Sequence, residues 1–136
     1  MGGWSRAAIR RGAMVLLVLG LSGLGLGCGS QLSEEDRLLA RAAVERAVRS
    51  ATYEQFLTSF PAEDQARMRE SPVWIRWWQE KFEKQRGAWT VASVKGRADG
   101  SVEVTTDHRR RPTSHQFYRL VKDGPAWKIL DIESQW

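Results

Sequence analysis

Apolar and polar residues follow three successive patterns along this chain of 136 residues. Residues 13–27, "AMVLLVLGLSGLGLG", are apolar or small throughout. Between residues 34 and 86 the apolar positions recur at helical spacing, and from residue 88 onward they alternate. A period near 3.6 marks amphipathic helices, and a period of 2 marks half-buried strands.

Ser33 followed by Glu34, Glu35 and Asp36 reads as a helix start. The serine oxygen can accept from a first-turn amide, and the acids suit the positive end of the helix. Asp36 fills the slot that Glu or Gln takes in a full capping box. The helix is expected over about 34–50. Its apolar residues, Leu38, Leu39, Ala42, Ala43, Val44, Ala47 and Val48, spread around the circumference, so several faces are expected to be covered. Thr52 can cap a short helix carrying Tyr53, Phe56, Leu57 and Phe60, which Pro61 stops. "PAEDQARM" adds another turn or two, with proline in the tolerated first position. Ser71-Pro72 opens a further helix, "VWIRWWQEKFEKQR", that Gly87 ends. At 100° per residue Trp74, Ile75, Trp78 and Phe82 share a face, and Trp77 lies to its side.

"WTVASVKGR" reads as a strand, and Asp99-Gly100 is a hairpin signal. "SVEVTTDH" alternates strictly, with Val102, Val104 and Thr106 on one face and Glu103, Thr105 and Asp107 on the other. "RRRPTS" connects it to "HQFYRLVK", and Asp123-Gly124-Pro125 turns the chain into "AWKILDIESQW". Short turns between strands make an antiparallel meander. Helices followed by strands predict an α+β fold, with N-terminal helices covering one face of a four-stranded sheet.

The N-terminal pattern carries different information. Arg6, Arg10 and Arg11 precede the apolar run, and Cys28, the only cysteine, follows it. A basic region, a short apolar region and small residues make a secretory signal. The run falls short of the ~20 apolar residues of a spanning helix. One reading is an ordinary signal with an incidental cysteine. The other starts from the seam, which resembles the lipobox of bacterial lipoproteins, with Gly27 before Cys28 and Gly25 where leucine is usual. The resemblance implies cleavage of residues 1–27 and two or three acyl chains on Cys28. Two chains anchor stably where one is marginal. An exported chain normally uses cysteines in pairs, so a lone thiol asks for another use. Residues 28–33 would then be a lipidated tether, of which "GSQLS" reaches at most about 17 Å. Residues 34–136 would be a single domain close to the membrane. Gly29 and Ser30 follow the cysteine, which in a host with two membranes implies the outer one, facing the periplasm.

Cleavage changes the charge argument. The three leader arginines leave with it, and the formal charge falls from +5 to +2. With export, that argues against nucleic acid as a partner. No metal-ligand cluster is visible, and no cofactor is expected. With no disulfide to help, the core rests on burial, and six tryptophans remain after the leader to supply it.

Three stretches carry a wider likeness: "YEQFLTSFPAEDQARM", "SVEVTTD" and "FYRLVKDGPAWKILDI". Their order resembles the nuclear-transport-factor-two-like superfamily, and within it small bacterial lipoprotein domains of unknown function. The resemblance implies a cone, a curved cystatin-like sheet wrapped around helices. Such folds host enzymes, carriers and assembly modules, so the fold does not set the task.

Enzymes of that superfamily use an Asp or an Asp–His pair at the cone mouth. Here the candidates are Asp107, His108 and His115, with Asp131 and Tyr118 as supports. The histidines are symmetric about "RRRPTS" and are expected to face each other. The adjacent arginines place them at a wet strand end. Asp107 and His108 point to opposite faces. "RRRP" itself is either a solvated hairpin tip or a contact for anionic headgroups. Trp77, Tyr118 and Trp127 are the candidate ligand-binding residues, and Trp136 or the sheet could meet a second subunit. The expected function is a non-catalytic, membrane-anchored envelope lipoprotein that binds a small apolar ligand or a protein partner. The alternative is an isomerase- or dehydratase-like enzyme using Asp107 or His108 and His115.

Overall fold

The computed structural model describes residues 32–135. Cys28, the leader and Trp136 lie outside the described residues. The helices are α1 (Glu34–Val48), α2 (Tyr53–Leu57), α3 (Ala62–Arg69) and α4 (Pro72–Trp78), which continues as a π-helical turn over Gln79–Glu83. The strands are β1 (Trp89–Gly96), β2 (Val102–His108), β3 (His115–Asp123) and β4 (Ala126–Gln135). They form one antiparallel sheet in the order β1-β2-β3-β4. The molecule is therefore α+β, helices first and meander second, as the periodicity predicts.

Local chemistry sets the helix ends. Ser33, Thr52 and Ser71 each accept a first-turn amide, at 3.1, 3.2 and 3.3 Å. These bonds satisfy donors that have no partner within the helix. α2 stops at Leu57, earlier than expected, and Phe60 is buried from the turn that follows. Pro61 sits at the N-cap of α3 rather than inside it.

Two expectations about the helices fail. α1 buries one stripe only, Ala40, Ala43, Val44, Ala47 and Val48, while Leu38 and Leu39 are 59% and 43% exposed. The second half of α1 covers the sheet with small side chains. Among the described residues, none covers the leucine side of its first turns. The helix after Ser71 is also not α-helical throughout. The Lys84 N–H donates to the Gln79 carbonyl at 2.8 Å, five residues back. Trp74, Trp78 and Phe82 are all buried across this wider turn.

The aromatic residues of the helical layer fill the space above the sheet. Phe56 meets Phe60 and Phe82 with ring centroids 5.0 and 5.5 Å apart. Trp78 donates its indole N–H to Ser50 Oγ at 3.0 Å. Below them the sheet offers Val102, Val104, Tyr118, Leu120, Trp127, Ile129 and Ile132. Burying each large side chain contributes about 1.5–3 kcal/mol.

The outer face carries one charged row across all four strands: Lys95, Glu103, Arg119 and Asp131 are successive cross-strand partners. Alternating signs at adjacent positions favour that register. Both edges are interrupted. Ala92 is an extra residue in β1 and Leu130 in β4. Arg37 donates to the Val94 carbonyl at 2.5 Å, and the Ile129 N–H donates to the Ser59 carbonyl at 2.7 Å. Bulges and covered edge groups discourage strand addition.

Candidate functional site

The two histidines do not face each other. The β2–β3 register pairs Asp107 with His115, and the backbone N–H of His108 donates to the Ser114 carbonyl. The symmetric count around "RRRPTS" is one residue out, and in a strand one residue is a whole face. Asp107 and His115 therefore share the outer face, with Nδ1 2.7 Å from Oδ1. Both are partly solvated, so this pair lies in water rather than in a dry pocket.

His108 lies inward and is only 6% exposed, which corrects its placement among wet strand-end residues. Its ring stands edge-on to Trp89 with centroids 4.9 Å apart. Nδ1 accepts the Arg110 N–H at 3.1 Å, which puts the ring proton on Nε2, 2.7 Å from Gln85 Oε1. Burial lowers its pKa, and the charges of Arg111, Arg110 and Lys81 lower it further. The result is a neutral imidazole with both nitrogens occupied. Lys81 is pushed down by its own burial, against the pull of Glu80, and Arg111 adds to the fall.

Beside His108 the inner face stays polar. Gln116 is fully buried, and its Oε1 accepts from the Tyr118 hydroxyl at 2.5 Å and Thr106 Oγ1 at 3.4 Å. Gln116 Nε2 and Ser134 Oγ have no partner among the described residues. Burial raises the Tyr118 phenol well above its ordinary pKa, so it remains a hydrogen-bond donor. Asp131, the other proposed support of the Asp–His candidates, is on the outer face and accepts its neighbour's amide, the Ile132 N–H, at 3.0 Å.

Trp77, Tyr118 and Trp127 occupy three separate settings. Trp77 is half-buried, with rings of Trp74, Phe82 and Phe56 at 5.5, 5.3 and 6.3 Å. Tyr118 has no exposed surface. Trp127 is buried at the β3–β4 turn and donates its indole N–H to Asp36 at 3.3 Å.

A groove of about 590 Å³ opens between the outward side of α1 and α2. Ala42, Glu45, Arg46, Arg49 and Ser50 line it from α1 and the residues just after it, Gln55 and Thr58 from α2 and its end. No sequence motif marks it, because its walls come from two helices whose crossing depends on the buried aromatic residues.

The fold also separates two ends. Asp36 holds Lys122 and Trp127, so α1 begins at the β3–β4 turn. The arginine hairpin lies at the other end of the same strands, where His115 opens β3. A strand rises roughly 3.3 Å per residue, so about 23 Å separate His115 from Lys122. The chain thus enters the domain at the end away from "RRRP". Among the described residues no helix is long and apolar enough to cross a membrane, and no group of three or more His, Cys, Asp or Glu residues could hold a metal ion. No family model matches the chain, and no curated protein or solved structure matches it.

Proposed function

We propose that this chain is a lipid-anchored envelope protein, acylated at Cys28, whose domain is a non-catalytic binding module that works through its surface. The carrying observation is the filled interior. Phe56, Phe60, Trp78, Phe82 and Tyr118 are at most 3% exposed above and within the sheet. Those rings occupy the interior that an apolar ligand would need, which favours recognition at the surface. Recognition of a protein partner therefore falls to the open groove on α1 and α2. The bulged, helix-covered sheet supports reading the domain as a small cone of the nuclear-transport-factor-two-like kind. The lone cysteine behind a basic, apolar leader supports export and anchoring, with the outer membrane as the destination in a host that has two.

The Asp107–His115 pair supports the acid–base alternative. Its carboxylate oxygen lies 2.7 Å from the imidazole nitrogen. A carboxylate within hydrogen-bond reach orients an imidazole for proton transfer. The pair sits on the open face, where solvent competes for the proton.

Fractionation separates the elements of this reading. The native protein is expected in the membrane fraction, and Cys28→Ala is expected to leave it. Retention of the Ala variant by membranes would count against the anchor.

A further inference from the structure

The outward side of α1 carries features that the fold itself leaves unused. Leu38 and Leu39 are two of the three exposed large hydrophobic residues among the described residues; the third, Val73, lies on α4. They stand in the first half of the helix, and the groove beside Ala42, Arg46 and Arg49 opens in the second half. On this side Glu35 stands near the start and Arg46 and Arg49 at the end, while Glu45 is held between Arg41 and Arg49. The helix dipole alone explains acids first and bases last. It does not explain exposed leucines ahead of an open groove on one helix.

Resting on the reading of the α1–α2 groove as the partner site, we propose that the partner is a second copy of this chain, the two α1 helices packed antiparallel about a two-fold axis at Ala42. In such a pair, residues whose numbers are equally distant from 42 face each other. Glu35 then meets Arg49 of the second copy, and Leu38 and Leu39 enter its groove against the side-chain stems of Arg46 and Glu45. Each relationship occurs twice, as a two-fold contact requires. Ala42 permits the close approach of the two helices. The ionic partners are available. Glu35 and Arg46 have no ion pair among the described residues, and Arg49 has only Glu45 at 4.0 Å, a contact shared with Arg41 at 3.7 Å. Glu34 is held by Arg37 at 3.9 Å.

An occupant other than a second copy fits less well. Around the leucines Glu34 and Glu35 are offset by Arg37 and Arg41, so this stretch has no net basic charge to draw anionic headgroups, whereas Glu35 and Arg49 complement each other across two copies. The sheet offers a second copy a charged outer row and two interrupted edges. The inference does not depend on the lipid at Cys28. If Cys28 is acylated, the pair carries two anchors whose tethers leave from opposite ends of the α1 contact.

Sedimentation of the full native protein in detergent micelles tests the contact. A dimer is expected. Glu35→Arg and Arg49→Glu are each expected to weaken it about tenfold, and the double variant to restore it. Leu38→Asp, at an exposed site that the fold does not need, is expected to give a folded monomer. Ala42→Cys is expected to form a disulfide between its two copies on oxidation, identified by peptide mass. A monomer at all concentrations, or a dimer indifferent to Leu38→Asp and to the charge exchange, overturns the proposal. So does an environment-sensitive label at residue 38 that becomes shielded only when phosphatidylglycerol vesicles are added, which would make the bilayer the occupant. An unacylated Cys28 in a protein that still dimerises would defeat the anchor and leave this contact standing.

Discussion

Asp36, in the first turn of α1, accepts the indole N–H of Trp127 at 3.3 Å across the interior end of the β3–β4 turn. The same oxygen takes Lys122 Nζ at 3.2 Å. One carboxylate thereby fixes where the chain enters the domain relative to the sheet.

That contact is pH-dependent in a stated direction. Burial pushes the Asp36 carboxyl up, but hydrogen bonds from Lys122, Ser33 and Trp127 outweigh it and hold the pKa below the ordinary value. The unfolded chain binds the proton first. The stabilisation is full above the ordinary Asp value of about 3.9 and is lost as pH falls through the lower folded value. Asp36→Asn is expected to cost about 1–2 kcal/mol at pH 6. The difference from the native protein should shrink toward pH 3, measured by urea unfolding.

His108 gives a second pH signature at milder acidity. Its folded pKa is lowered by burial and by Arg111, Arg110 and Lys81. Between that value and about 6.5 the unfolded state therefore holds more protons. Stability is full above about 6.5 and declines as pH falls through this window. His108→Gln is expected to remove that part of the decline between pH 7 and 5 in denaturant midpoints. An unchanged profile would contradict the buried neutral ring.

The aromatic layer predicts the largest single losses. Phe56 is fully buried against Phe60 and Phe82. Phe56→Ala is expected to destabilise by about 3–5 kcal/mol. Trp78→Phe keeps most of the packing but removes the indole donor to Ser50 Oγ. Its expected loss is about 1–2 kcal/mol. Val73 is exposed on α4. Val73→Ala should change stability by no more than about 0.5 kcal/mol. Chemical unfolding of the three variants gives the ranking.

Gly100 and Gly124 turn the two hairpins at φ 83° and 62°, a region that side chains disfavour. Gly100→Ala is expected to cost about 1 kcal/mol, although it removes no contact.

These particulars show which parts of the molecule its sequence made legible. Caps and turns are local, so Ser33, Thr52, Ser71, Asp99-Gly100 and Asp123-Gly124 could be read where they stand. The inward set Val102, Val104 and Thr106 was legible from alternation, and His108 continues it at the same parity. Its burial was hidden by the adjacent arginines, which suggest water, while Gln85 and Trp89 reach it from distant positions. The Asp107–His115 pairing depends on how many residues the turn consumes, which symmetry about "RRRPTS" misjudges by one. The exposure of Leu38 and Leu39 could not be read because it reflects which neighbours are missing, not what the residues are. The groove and the π-helical turn after Trp78 arise from packing between elements and have no local signature.

The central claim is the anchor at Cys28, and the mass of the mature N-terminal peptide tests it most directly. The peptide is expected to begin at Cys28 and to carry a diacylglyceryl thioether, with residues 1–27 removed. A peptide beginning at Gly29 or Ser30, or an unmodified Cys28, would contradict it.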